Sequence, residues 1–128
     1  MTQSDPNGID QHAPGAKLDN GKMRPWLVLS AFSQALGLVT EIGTFGAEKY
    51  SDNGWLNVPE GEKRYAEALM RHVMAHWGGE VNDPESGLPH LAHAAWNILA
   101  LIELRERDGG FPLNDKRSHN FATKGNIE

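Results

Sequence analysis

Residues 86–103 read SGLPHLAHAAWNILALIE. Leu91, Ala94, Ala95, Ile98, Leu101 and Ile102 recur at the helical period and cover one broad side. Ala92, Trp96 and Leu99 cover most of the rest. The spacing predicts a helix over 88–107, stopped by Gly109 and Gly110. A helix apolar nearly all round is a buried one. Yet His90, His93 and Asn97 stand three and four residues apart, which places them on one face. Buried polar groups left without partners cost about 1–3 kcal/mol each. The stripe therefore needs a metal, a ligand, or a hydrogen-bonded place in the core or an interface.

Working outward, two further helices are expected. Over 26–50, Leu29, Phe32, Leu36, Val39, Ile42 and Phe45 keep the helical period. Gly37, Gly43 and Gly46 interrupt it, each costing about 1 kcal/mol relative to alanine. Either the helix breaks near Gly43, or the glycines let another helix or a ligand approach closely. The sequence SDNGW ends this run with turn chemistry. A second helix is expected over 59–77, with Pro59, Glu60 and Glu62 suited to its first turn. GGEVNDPESG then reads as a loop.

Three amphipathic helices without a convincing strand give an all-α fold, a helical bundle. The apolar circumference of the third helix implies that a homodimer or homotetramer completes a four-helix core. Residues 1–16, polar and rich in Pro, Gly and Asp, are expected to be a flexible arm. Residues 17–108 form the domain and 109–128 an irregular tail.

The chain has 128 residues, which suits one domain. It has no cysteine, excluding disulfide scaffolds, thiolate metal sites and cysteine nucleophiles. The formal charge of −5 argues against a nucleic-acid duplex as partner. No apolar run reaches the roughly 18 residues of a membrane span. The first residues lack the basic start and apolar centre of a secretory signal. A cytoplasmic protein is the expectation.

The loop ahead of the third helix supplies Glu80 and Asp83, an E-x-x-D pair. Carboxylates are the hard ligands that magnesium prefers, whereas imidazole suits zinc or manganese better. The plainer alternative is an acidic loop capping the helix. His72 and His76 share a face of the second helix, a pairing that arises easily by chance. Arg71 suits a phosphate by its planar charged fork, or is a solvated surface arginine. Lys17, Lys22, Arg24 and Lys49 add basic groups upstream. Tyr50 and Trp55 flank a glycine turn and either stack on a base or pack on the bundle. Glu41 and Glu48, seven apart, face the same site or are ordinary exposed acids. GTFGAEKY is not a phosphate loop, because its spacing departs from G-x-x-x-x-G-K-[ST]. No serine-nucleophile motif or dinucleotide fingerprint is present.

Three stretches, GAKLDNGKMRP (15–25), TFGAEKYSDNGW (44–55) and RYAEALMRHVMAHWGGEVNDPESGLPHLAHAAWN (64–97), together resemble the phage dATP/dGTP diphosphohydrolase (MazZ) family. The resemblance covers about 15–104 in the same order. It implies an all-α, MazG-like nucleotide pyrophosphohydrolase that cuts a triphosphate between the α and β phosphates. The products would be dGMP or dAMP and pyrophosphate. The family's cofactor is Mg2+, with Mn2+ as the alternative. The dGMP would supply 2-aminoadenine deoxynucleotide synthesis, and removal of dGTP and dATP would clear competing precursors.

The resemblance also implies roles. His72, Glu80, Asp83, His90 and His93 match candidate metal positions, with Glu80, Asp83 and His93 as catalytic candidates. Lys17, Asp19, Lys22, Arg24, Lys49 and Arg71 match positions that would grip phosphates and sugar. Tyr50, Trp55 and Asn97 complete the candidate substrate site, and His76 is left out. MazG-like enzymes usually carry E-x-x-E on one helix and E-x-x-D on a later one. Here His90-x-x-His93 stands on the analogous later helix, and the E-x-x-D lies in the loop before it. The competing readings are a non-catalytic nucleotide- or protein-binding bundle, and a pyrophosphohydrolase with another nucleotide substrate.

Overall fold

The computed structural model describes residues 3–113. Among these, the elements are α1 (Pro25–Leu29), α2 (Ser33–Lys49), a 3-10 turn (Gly54–Asn57), α3 (Gly61–Trp77) and α4 (His90–Arg107). No strand occurs among the described residues, only an isolated antiparallel bridge between Asn82 and Pro89. The chain is all-α, as the periodicity predicts. Among the described residues no helix is long and apolar enough to cross a membrane.

The first apolar run does break, but at Ser30 to Phe32 and not at Gly43. The Ser30 N–H and hydroxyl both bond to the Trp26 carbonyl, closing α1 after its last turn. Gly43 lies inside an unbroken α2. A Cβ built there would stand 3.4 Å from Trp96 Nε1. At Gly43, then, α2 runs unbroken against the indole on α4, close enough that a Cβ would just touch it. Gly37 and Gly46 have no such neighbour.

The other two helices start two residues later than their periodicity suggests. Glu60 sits in the left-handed region at φ 55°, so the helical path opens only at Gly61. Pro89 is extended, at φ −57° and ψ 137°. Leu88 just before it is held in the loop, its carbonyl accepting the Asp83 N–H at 2.8 Å. At the far end Gly109 and Gly110 both take positive φ and stop α4 as expected.

α4 is the centre of the packing, with α3 along one side and α2 on another. The buried apolar residues among those described are Ile42 and three alanines, Ala92, Ala94 and Ala100. Larger rings fill the junction of the 3-10 turn, α3 and α4, where Trp55, Tyr65 and Trp96 meet edge to face, with centroids 5.4–6.2 Å apart. The Tyr65 hydroxyl donates to the Trp55 carbonyl at 2.7 Å and ties the turn to α3.

The expectation that α4 is mostly buried fails for the single chain. Leu91 is 48% exposed and Leu99 49%, because the described chain has no fourth long helix to cover that side. The polar arm likewise has more structure than its composition suggests. Asp5 is buried and its carboxylate accepts the N–H groups of Asn7, Ile9 and Lys17. The Lys17 N–H bond is the chief reason that its pKa lies below the usual carboxylate value. Residues 114–128, most of the expected tail, lie outside the described residues.

Candidate metal centre

Three pieces of chain deliver the candidate residues to one place. α3 carries Arg71 and His72, the loop 78–89 carries Glu80, Asp83 and Ser86, and α4 carries His90, His93 and Asn97. The loop is pinned against the start of α4 by the His90 N–H on the Val81 carbonyl at 2.9 Å, together with the Asp83–Leu88 bond. Asp83 folds the loop further by accepting the Ser86 N–H at 3.1 Å.

His90 is the buried hub, 3% exposed. Its Nε2 lies 2.7 Å from Glu80 Oε1 and its Nδ1 lies 2.8 Å from His72 Nδ1. A carboxylate only accepts, so the Nε2 of His90 must carry a proton. In the neutral ring Nδ1 is then a lone pair, and His72 Nδ1–H is the donor between the two imidazoles. One ligand atom from each of His72, Asp83 and His90 falls within a common 4.8 Å.

His93 lies beside this group. Its ring stacks on that of His72 at 4.4 Å and 8°. Its Nε2 is 2.7 Å from Ser86 Oγ and 3.6 Å from Asp83 Oδ2. Serine and aspartate thus address the same nitrogen. A nucleophilic relay needs them on opposite nitrogens, so Ser86 is not activated as in a Ser-His-Asp triad. Ser86 Oγ also accepts the Leu88 N–H at 3.1 Å, which fixes its position.

The electrostatics favour neutral rings at His72 and His93 and an anion at Asp83. Burial lowers the pKa of His72, and the neighbouring His93 and His90 lower it further, against the pull of Asp83. Burial lowers that of His93 too, with Asp83 opposing. For Asp83, burial favours the neutral acid, but hydrogen bonds from Ser86 and the nearby imidazoles outweigh it and lower the pKa.

The structure sorts the sequence-predicted residues. His72, Asp83 and His90 converge as a donor set. Glu80 reaches the far nitrogen of His90, and its side chain is 55% exposed. Asn97 is buried, and its Nδ2 donates to the His93 carbonyl at 2.8 Å. Lys49 comes to the edge of the site through an ion pair with Glu85, at 2.8 Å, in the loop that carries Asp83. Tyr50 is 76% exposed beside it. Trp55 is engaged in the aromatic junction with Tyr65 and Trp96.

Arg71, Lys17, Asp19, Lys22 and Arg24 are exposed. Among the described residues no side-chain hydrogen bond or ion pair joins them to the cluster. His76 stays outside it as well, edge-on to Trp77 with a buried, unpartnered Nδ1. Sequence reading missed Ser86 and Glu85. The signal for Ser86 was present, since Asp83-Pro84-x-Ser86 has the spacing of an aspartate-initiated turn. Glu85 left none, because its partner Lys49 is 36 residues away.

Comparison with known proteins identifies the family. A curated dATP/dGTP diphosphohydrolase of Salmonella phage PMBT28 is 30% identical over 111 residues. That alignment covers 87% of this chain but 36% of the relative, so the chain spans about a third of that protein's length. No solved structure matches. The family model described as "dATP/dGTP diphosphohydrolase, N-terminal" matches residues 12–115, a span holding every residue of the cluster. The chain belongs to that family.

Proposed function

We propose that the protein hydrolyses dGTP and dATP between the α and β phosphates, giving dGMP or dAMP and pyrophosphate. The observation that carries this reading is the convergence of His72, Asp83, His90 and His93, with Ser86, inside the family-matched segment. In an infected cell the dGMP would feed 2-aminoadenine deoxynucleotide synthesis and the loss of dGTP and dATP would remove competitors. The host cytoplasm is the place for that chemistry.

The side chains divide the work by their protonation. His93 is kept neutral, sits beside an anion and two other imidazoles, and is the best proton acceptor for an attacking water near neutral pH. Asp83, with its lowered pKa, is a weaker base and a better ligand for a cation. Glu80 acts through His90, fixing its tautomer. Lys49 exchanges Glu85 for a phosphate when the nucleotide enters, and Arg71 supplies a second cationic contact. The exposed apolar side of α4 is covered by other copies in a homodimer or homotetramer. Magnesium, the ion implied by the resemblance, matches this donor set poorly, because two of the three converging groups are imidazoles.

The test is a panel of deoxy- and ribonucleoside triphosphates, each incubated with the protein and either Mg2+ or Mn2+, with products separated by chromatography. The expected products are dGMP and pyrophosphate from dGTP, and dAMP and pyrophosphate from dATP. Release of inorganic phosphate, or turnover confined to pyrimidine nucleotides, contradicts the reading. No turnover at all moves the protein to the binding modules.

A further inference from the structure

We infer that His72, His90 and Asp83 form a two-imidazole, one-carboxylate site for a divalent transition metal of the manganese-to-zinc series, selected over magnesium, with Glu80 as the positioning residue of His90. The inference deepens the reading of the cluster as a metal centre and concerns which ion it holds.

Two independent features support it. The first is convergence. Nitrogens each about 2.1 Å from one ion and at right angles to each other stand about 3 Å apart. The two Nδ1 atoms of His72 and His90 are 2.8 Å apart, and one ligand atom from each of His72, His90 and Asp83 lies within 4.8 Å of the others. An ion would take the place of the proton that the two rings now share.

The second feature is the support behind His90. A metal-binding imidazole characteristically donates its other N–H to a carboxylate, which orients the ring and strengthens it as a ligand. Glu80 Oε1 lies 2.7 Å from His90 Nε2 and fills that role. The 4% exposure of the His90 side chain leaves it little freedom to turn away.

The chemistry of the donors then selects the ion. Imidazole binds manganese, iron, cobalt, nickel and zinc well, whereas magnesium favours oxygen and sheds its water reluctantly. An E-x-x-E and E-x-x-D site would offer oxygen alone. Here one carboxylate remains in the donor set and the second is turned to the back of a histidine. The His72, Asp83 and His90 atoms supply three ligands among the described residues, and the phosphate oxygens of a nucleotide would take further coordination positions.

The experiment uses the untagged full chain, stripped with a chelator and titrated with Co2+. The d–d absorption bands of cobalt report nitrogen ligation independently of turnover. One Co2+ per chain is expected, and Mg2+ in about 100-fold excess leaves the bands in place. His72→Ala abolishes the bands. Glu80→Ala, a change at a half-exposed side chain, weakens Co2+ binding by about 10- to 100-fold. Displacement of Co2+ by equimolar Mg2+ overturns the inference, as does a Co2+ spectrum indifferent to both substitutions in proteins whose circular dichroism is unchanged. Co2+ bound as expected without dGTP turnover keeps the metal site and removes the proposed activity. Mg2+-supported dGTP hydrolysis without a histidine-dependent Co2+ site does the reverse.

Discussion

The imidazoles of His72 and His93 lie face to face, 4.4 Å apart and within 8° of parallel, although they come from different helices. Two charged rings cannot share that geometry cheaply, and both pKa values are lowered, chiefly by burial. This stack between α3 and α4 is therefore a contact between neutral groups.

Its first consequence is a stability that depends on pH. A histidine with a depressed folded pKa binds fewer protons folded than unfolded, so its contribution is complete above the unfolded value of about 6.5 and is lost as pH falls through the folded one. Thermal melts of chelator-treated protein should show the midpoint falling as pH drops below about 6.5. His93→Gln should flatten that dependence. An unchanged midpoint between neutral and mildly acid pH would contradict neutral burial of the pair.

The Lys49–Glu85 pair gives a prediction that separates binding from stability. Lys49 is partly exposed, and such pairs contribute about 0–1 kcal/mol, so Glu85→Gln should leave the melting temperature nearly unchanged. Freed of its partner, Lys49 should bind triphosphate more tightly and lower KM. Lys49→Ala should raise KM. Isothermal titration with a non-hydrolysable dGTP analogue checks both, and equal affinities in the two variants would remove Lys49 from the substrate site.

Gly43 tests the packing of α2 on α4. Its virtual Cβ is 3.4 Å from Trp96 Nε1, an ordinary contact distance. Gly43→Ala should be tolerated, helped by about 1 kcal/mol of helix propensity. Gly43→Leu should cost about 1–3 kcal/mol through overpacking. Denaturant titrations measure the difference, and a harmless leucine would show that the helices do not meet there.

The aromatic junction carries a similar test. Tyr65→Phe removes the hydroxyl that holds the Trp55 carbonyl and should cost about 1 kcal/mol, with the ring packing retained. If denaturant unfolding of this variant matches that of the parent, the 3-10 turn is held by the rings alone.

The sequence carried the helices clearly because apolar spacing is a local signal. Leu91 to Ile102 announce α4, and Gly109 and Gly110 its end. The break at Ser30 was harder to see, since the apolar period runs through it and the serine acts by competing for a carbonyl within one turn. The stripe of His90, His93 and Asn97 was legible as a shared face. Its division of labour was not, because each member is defined by a partner elsewhere. His90 is set by Glu80 and by His72 eighteen residues back on α3, whereas His93 is set by Ser86. The burial of α4 was overread, because the pattern records every surface that avoids water and does not say whether the same chain covers it.

The central claim is that water attacks the α phosphorus of a purine deoxynucleoside triphosphate at the His72–Asp83–His90–His93 cluster. The most direct measurement is hydrolysis of dGTP in 18O-labelled water, with mass spectrometry of both products. The account predicts one labelled oxygen in dGMP and none in pyrophosphate, with the reaction lost in His93→Ala. Label in pyrophosphate, or the appearance of dGDP and labelled phosphate, would contradict it.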